Sequence, residues 1–172
     1  MGNSNVKNIM RQINVDKVTL HCSTVDAGKL DKSIKLLKII SGMEPIKTKA
    51  TKRIPTFKIR PGLPIGCKVT LRGEKARNVL KLVLETVDNK INSKKIMDGS
   101  FSFGVKEYID IPSIQFQRDI GILGFDVTVT LKRAGYRVLL KKSKKGRFPN
   151  RQRIKREETI NFVKENLGIE VI

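Results

Sequence analysis

Apolar and polar residues alternate with a period of two over Val15 to Cys22 (VDKVTLHC), with Val18 and Leu20 on one face and Lys17, Thr19 and His21 on the other. That pattern predicts a half-buried strand. The period then lengthens. In Gly28 to Ser41, Leu30, Ile34, Leu37 and Ile40 recur at helical spacing, and Gly42 stands where it can end the helix. A second strand is expected in Pro45 to Ala50, and the stretch up to Pro64 holds Pro55, Pro61 and Gly62, which predicts an extended arm or loose hairpin. Ile65 to Arg72 alternates again, with Ile65, Cys67, Val69 and Leu71 inward and Lys68, Thr70 and Arg72 outward. Glu74 to Ile91 carries the clearest helical stripe: Ala76, Val79, Leu80, Val83, Leu84, Val87 and Ile91. Further strands are predicted at Phe101 to Ile109 and at Phe125 to Arg133, where Val127, Val129 and Leu131 face in and Thr128, Thr130 and Lys132 face out.

Three strands therefore share one design, a face of branched aliphatics backed by a face of Thr, Lys, Arg and His. Two amphipathic helices can cover the first face and leave the second open. The expected fold is α+β, an antiparallel or mixed sheet of about five strands with helices on one face, in a single domain over residues 1–172.

Charge changes the picture of the open face. The chain has 172 residues, 36 Lys and Arg against 16 Asp and Glu, and a net charge of +20, which calls for a polyanionic partner. The excess is clustered. Ile46 to Arg60 holds Lys47, Lys49, Lys52, Arg53, Lys58 and Arg60 without an acid. Lys141 to Arg156 holds nine basic residues in sixteen, again without an acid. Such a run repels itself and by itself should be mobile, unless the helical pattern of Glu157 to Leu167 packs back and tethers it. Asp16 and Asp126 are the main acids near the open face.

The remaining composition excludes other classes. No apolar stretch approaches the roughly 20 residues of a membrane span, and Met1 to Gln12 lacks a signal-peptide core, so a cytoplasmic protein without a membrane partner is expected. Cys22 and Cys67 read as buried free thiols. His21 is the sole histidine, so no two-histidine metal site can form, and no G-x-S-x-G elbow is present. Gly62 to Lys68 (GLPIGCK) fails the phosphate-loop spacing, and Phe101 and Phe103 in GSFSFGV share one strand face and suit core packing better than base stacking. No enzyme activity, metal or cofactor is expected. With nine aromatic residues, phosphate and shape contacts to a structured RNA fit better than stacking on a single strand.

Several motifs resemble one known family. They are Lys47-Thr48-Lys49-Ala50, Pro64-Ile65-Gly66 running into Lys68 to Gly73, Phe101 to Gly104 with Lys106-Glu107, Asp110-Ile111-Pro112, Gly121 to Arg133, and Gly135-Tyr136-Arg137 with the basic loop and its helix. In this order, from about Met10 to the C-terminus, the chain is similar to the 5S rRNA-binding L five family of large-ribosomal-subunit proteins, archaeal and eukaryotic type. The resemblance implies binding of 5S rRNA and large-subunit rRNA in the central protuberance, beside neighbouring ribosomal proteins. It also implies that the arm approaches the P-site tRNA. On this reading Lys58 and Arg60 serve the arm's tRNA-facing part, and Thr48, Lys49, Lys52 and Arg53 contact RNA. His21, Lys68, Thr70, Arg72, Thr128, Thr130 and Lys132 contact RNA from the open sheet, together with Arg11. Lys141, Lys142, Lys144, Lys145, Arg147, Arg151 and Arg153 thread along rRNA. One departure stands out. Where the family follows its first strand with N-x-G-x-G-E, this chain reads His21 to Asp26 (HCSTVD), which predicts a turn of different shape or one displaced toward Gly28. The alternative is another architectural RNA- or DNA-binding protein.

Overall fold

The alternating segments pair into one six-stranded antiparallel sheet. The structure, a computed structural model, describes residues 8–112 and 114–172; the part of the signal-peptide reading that concerns residues 1–7 lies outside them. The strands are β1 (Ile13–Ser23), β2 (Ile46–Lys49), β3 (Pro64–Leu71), β5 (Ile96–Met97), β6 (Ser100–Val105) and β7 (Phe125–Arg133), in the order β2-β3-β1-β7-β6-β5. A separate parallel pair, β4 (Lys90–Ile91) with β8 (Glu170–Val171), escaped the sequence reading because two-residue strands carry no period.

Period-two burial holds across the central strands. Val18, Leu20, Val127 and Val129 are fully buried, each worth roughly 1.5–3 kcal/mol of transfer free energy. In β1 the register shifts between Val15 and Lys17, so Asp16 is an extra residue, a β-bulge. The bulge reverses the parity of the strand. Ile13 and Val15 before it and Val18, Leu20 and Cys22 after it all join the same core.

Helix α1 (Ala27–Ser41) packs on β3 and α2 (Gly73–Glu85) packs on β1. The buried stripe of α1 is Leu30, Ser33, Leu36, Leu37 and Ser41, rotated from the expected one, and Ile34 and Ile40 are only half-buried. The inward Ser33 and Ser41 hydroxyls donate to the carbonyls of Lys29 and Leu37 at 2.9 and 2.6 Å, so the core accepts them without unpaired groups. Gly42, at φ 62°, ends α1 as expected.

Helix α2 is shorter than its apolar stripe. It stops at Glu85, after which Asp88 and Asn89 take left-handed backbone at φ 51° and 54°. These residue types tolerate that region, and the turn returns Ile91 to the core through β4. The strand expected to reach Ile109 likewise ends at Val105. Tyr108 follows in a short 3-10 turn, fully buried, with its hydroxyl accepting from the Gln117 backbone N–H at 3.0 Å. After β7 come a single helical turn, α3 (Arg137–Leu140), and the closing helix α4 (Arg156–Leu167).

The expected turn at His21 to Asp26 needs no positive φ and is not displaced to Gly28, which lies inside α1. The Thr24 hydroxyl accepts from the Asp26 N–H at 3.3 Å instead. Cys22 and Cys67 are buried free thiols that face each other across β1 and β3. A hydrogen bond to Cys67 and then burial push the Cys22 thiol up.

Candidate nucleic-acid interface

The strand registers set the open face in rows. Gly104, Asp126, His21 and Lys68 lie side by side on β6, β7, β1 and β3; the next row is Ser102, Thr128, Thr19 and Thr70; a third holds Ser100, Thr130 and Lys17. Four hydroxyls thus run across the middle of the face, with charged groups on both flanks. Thr70, Thr128 and Lys68 are exposed, whereas His21, Thr19 and Thr130 are half-buried, and a shallow trough of about 630 Å³ lies over β1, β7 and β6. Its floor includes Phe103, but Phe101 and Phe103 are buried and stack on each other at 6.5 Å. They are core residues, as their spacing predicted.

At the far end of the face, the bulge residue Asp16 is buried beneath two of the expected RNA contacts. Its Oδ1 lies 2.7 Å from Lys132 Nζ and 3.1 Å from Arg72 Nη1, while both cations stay about half exposed. Burial alone would raise the Asp16 pKa. The hydrogen bonds and charges of Lys132 and Arg72 outweigh it and hold the carboxyl below the usual carboxylate range. Arg72, between β3 and α2, and Lys132, on β7, are therefore fixed relative to each other across β1.

The arm is an ordered hairpin. Ala50 and Leu63 are joined by a backbone bond of 2.8 Å, Ile54 and Ile59 form an isolated bridge, and Pro55–Phe57 makes a 3-10 turn closed by Lys58 in left-handed backbone, φ 56°. Ala50 is buried at its base and Ile59 beside its turn, and Lys49, Lys52, Arg53, Lys58 and Arg60 are exposed, with Thr48 half-buried. Lys47 faces the helix layer and pairs with Asp31 at 3.3 Å.

The basic loop is pinned rather than mobile. Phe148 is buried edge-on against Tyr136 at 5.6 Å, Ile154 is buried, and Gln152 Nε2 donates to the Met10 carbonyl at 2.9 Å. Arg133, at the end of β7, is the main fastener. Buried itself, it donates to the Arg11 carbonyl at 3.1 Å, to the Arg151 carbonyl at 3.5 Å and to Glu158 Oε1 at 2.7 Å in α4. Glu158 Oε2 also accepts the Lys155 backbone N–H at 3.0 Å. Burial works against the Glu158 charge, and these two partners overcome it and lower its pKa. Between the pins, Lys141, Lys142, Lys144, Lys145, Arg147, Arg151 and Arg153 are all exposed, as is Arg11.

The arm and the loop leave opposite ends of the sheet. The arm joins β2 and β3 beside Ser23, whereas the loop is fastened beside Arg133, the partner of Ile13. The sheet face spans the distance between them. No helix among the described residues is long and apolar enough to cross a membrane.

Fold and surface define a class: a two-layer α+β protein with one sheet face left open and exposed basic residues on that face, along a hairpin arm and along a fastened loop. Comparison with known proteins gives the family. The family model described as Ribosomal protein L5 matches residues 8–60, and the companion model, described as the C-terminus of the same ribosomal family, matches residues 64–162. A protein of Nanoarchaeum equitans named large ribosomal subunit protein uL5 is 46% identical over 165 residues, covering 95% of this chain and 98% of that protein. Proteins of the same name from Sulfolobus acidocaldarius and Methanoregula boonei are 38% and 40% identical; they are covered to 98% and 99%, and cover 100% and 94% of this chain. The chain belongs to the ribosomal protein L5 family.

Proposed function

We propose that this chain is a structural, non-catalytic constituent of the large ribosomal subunit that binds 5S rRNA and large-subunit rRNA in the central protuberance and reaches the P-site tRNA through its arm. The ribosomal role follows from the family and from the names its relatives carry. The observation that supports the RNA reading is the arrangement of the arm, the open face and the loop as one exposed basic series along the sheet. Thr and Ser hydroxyls with Lys and Arg are the donors that phosphate and ribose oxygens take. Arg72 and Lys132, already held by Asp16, would lose less side-chain freedom on meeting phosphate than a free lysine of the loop.

The test is binding of the full chain to 5S rRNA by filter retention or calorimetry over a salt series. Affinity should fall linearly on a log–log plot with a slope of about −0.7 to −0.9 per phosphate neutralised. Arg72→Ala should weaken binding more than Lys142→Ala. Absent or salt-independent binding would refute the reading. Crosslinking with sequencing in lysate supplies the second arm, in which 5S rRNA, large-subunit rRNA and tRNA fragments should all be recovered.

A further inference from the structure

We infer that Asp126, His21 and Gly104 form a subsite in the trough that takes the amino-bearing edge of one unpaired guanine of the bound RNA. The inference rests on the RNA-binding reading above and adds a base to a face otherwise fitted for phosphate and ribose.

Asp126 is exposed near the start of the interior strand β7 and makes no ion pair or side-chain hydrogen bond among the described residues. Asp16, the other acid of this face, is neutralised by two cations. A bare carboxylate facing RNA repels phosphate, so what it can accept from RNA is an N–H or O–H donor. A ribose hydroxyl offers one donor. The Watson–Crick edge of guanine offers two side by side, N1–H and N2–H, which matches the two oxygens of a carboxylate.

The neighbours leave room for such a base. Gly104 lies directly across from Asp126 on β6, and a Cβ there would stand 3.2 Å from Asp126 Oδ1. Any larger residue would crowd the carboxylate, and glycine is otherwise disfavoured inside a strand. On the other side His21 is the register partner of Asp126, half-buried, with an imidazole that can donate to a carbonyl such as guanine O6. The hydroxyl row of Ser102, Thr128 and Thr19 then lies one step along the trough, where the attached ribose would fall. Uracil has no exocyclic amine, and inosine keeps N1–H but lacks N2–H, so the two grade the contact.

The experiment is fluorescence anisotropy of the full chain with a ten-nucleotide oligouridine and with the same strand carrying one central guanosine or one inosine. The parent should bind the guanosine strand about tenfold more tightly than oligouridine, with inosine between. Asp126→Asn and Asp126→Ala should abolish that preference while binding oligouridine as well as the parent or better, because a negative charge has been removed. No guanosine preference in the parent, or its survival in Asp126→Ala, overturns the subsite. If 5S rRNA binding with its salt slope persists in that case, the proposed function stands without it; if the parent fails to bind 5S rRNA, the function itself fails.

Discussion

Replacing Arg133 by Met keeps most of the apolar stem and removes the guanidinium with all its donors, which tests the fastening of the basic loop. The contact with Glu158 is charge-assisted and short, but Glu158 is 39% exposed on its side, so solvent screening reduces it to about 1–2 kcal/mol. The bond to the Arg11 carbonyl adds about 1 kcal/mol, and the 3.5 Å contact to Arg151 adds little. The sum, about 2–3 kcal/mol, corresponds to a fall in Tm of roughly 4–12 °C for a chain of this size. Because the loop is rich in Lys and Arg, trypsin reports its release directly: cleavage between Lys141 and Arg153 should accelerate in the variant under conditions where the sheet stays intact. The pH dependence has a definite sign. Glu158 titrates below its ordinary 4.5 in the folded chain, so its contribution is complete above pH 4.5 and is lost as pH falls through the folded value. The gap between parent and variant should therefore narrow in acid. A variant that melts within about 1 °C of the parent, with unchanged cleavage of the loop, would refute the role given to Arg133.

Asp16→Asn should cost about 1 kcal/mol at neutral pH, since both partners are half solvated, and calorimetric melts should show the cost fading as pH drops below 3.8 and the parent's own carboxyl protonates. Gly66→Ala should cost more than one added methyl suggests: the new Cβ would stand 2.6 Å from the Cys22 carbonyl oxygen, which is backbone and cannot swing away. A loss of about 1–3 kcal/mol in urea titration is expected, and a neutral result would show that β1 and β3 separate easily. Lys58→Ala with Arg60→Ala should leave stability within the small range of surface substitutions, roughly 0.5 kcal/mol each, while lowering tRNA crosslinking through the arm.

The strands that form the open face were readable because each is buried on one side only, so polarity alternates. β7 matches its expected limits, Phe125 to Arg133, residue for residue. The helices were readable as helices but less well in phase or length. Leu36 rather than Ile34 completes the α1 stripe: α1 carries more apolar residues than one face can bury, and which of them meet β3 is settled by packing that a one-dimensional pattern does not contain. The α2 stripe overran its helix because Ile91, reached through a left-handed turn and a short strand, happens to continue the helical spacing. Of the interface, sequence located the basic clusters and the exposed strand residues. It could not show that Asp16 lies under Arg72 and Lys132, since those residues meet only through a bulge, or that Arg133, at the inward parity of Val129 and Leu131, ties three distant segments together. Asp126 was visible as an acid in a basic face, but its glycine neighbour comes from a strand more than twenty residues away.

The central position of β1 has a bearing on how the chain assembles as it is made. β1 is the first strand to be synthesised, yet its two neighbours are β3 and β7, and β7 is complete only at Arg133. Between the emergence of β3 and of β7, one edge of β1 has no partner, for roughly 3–12 s at about 5–20 residues per second. An unpaired hydrophobic strand edge is a template for pairing with other chains. In that interval the nascent segment already carries the acid-free stretch of the arm, and like charge on every copy opposes such encounters. The same lysines and arginines would then serve twice: first to keep unfinished copies apart, and later to meet RNA.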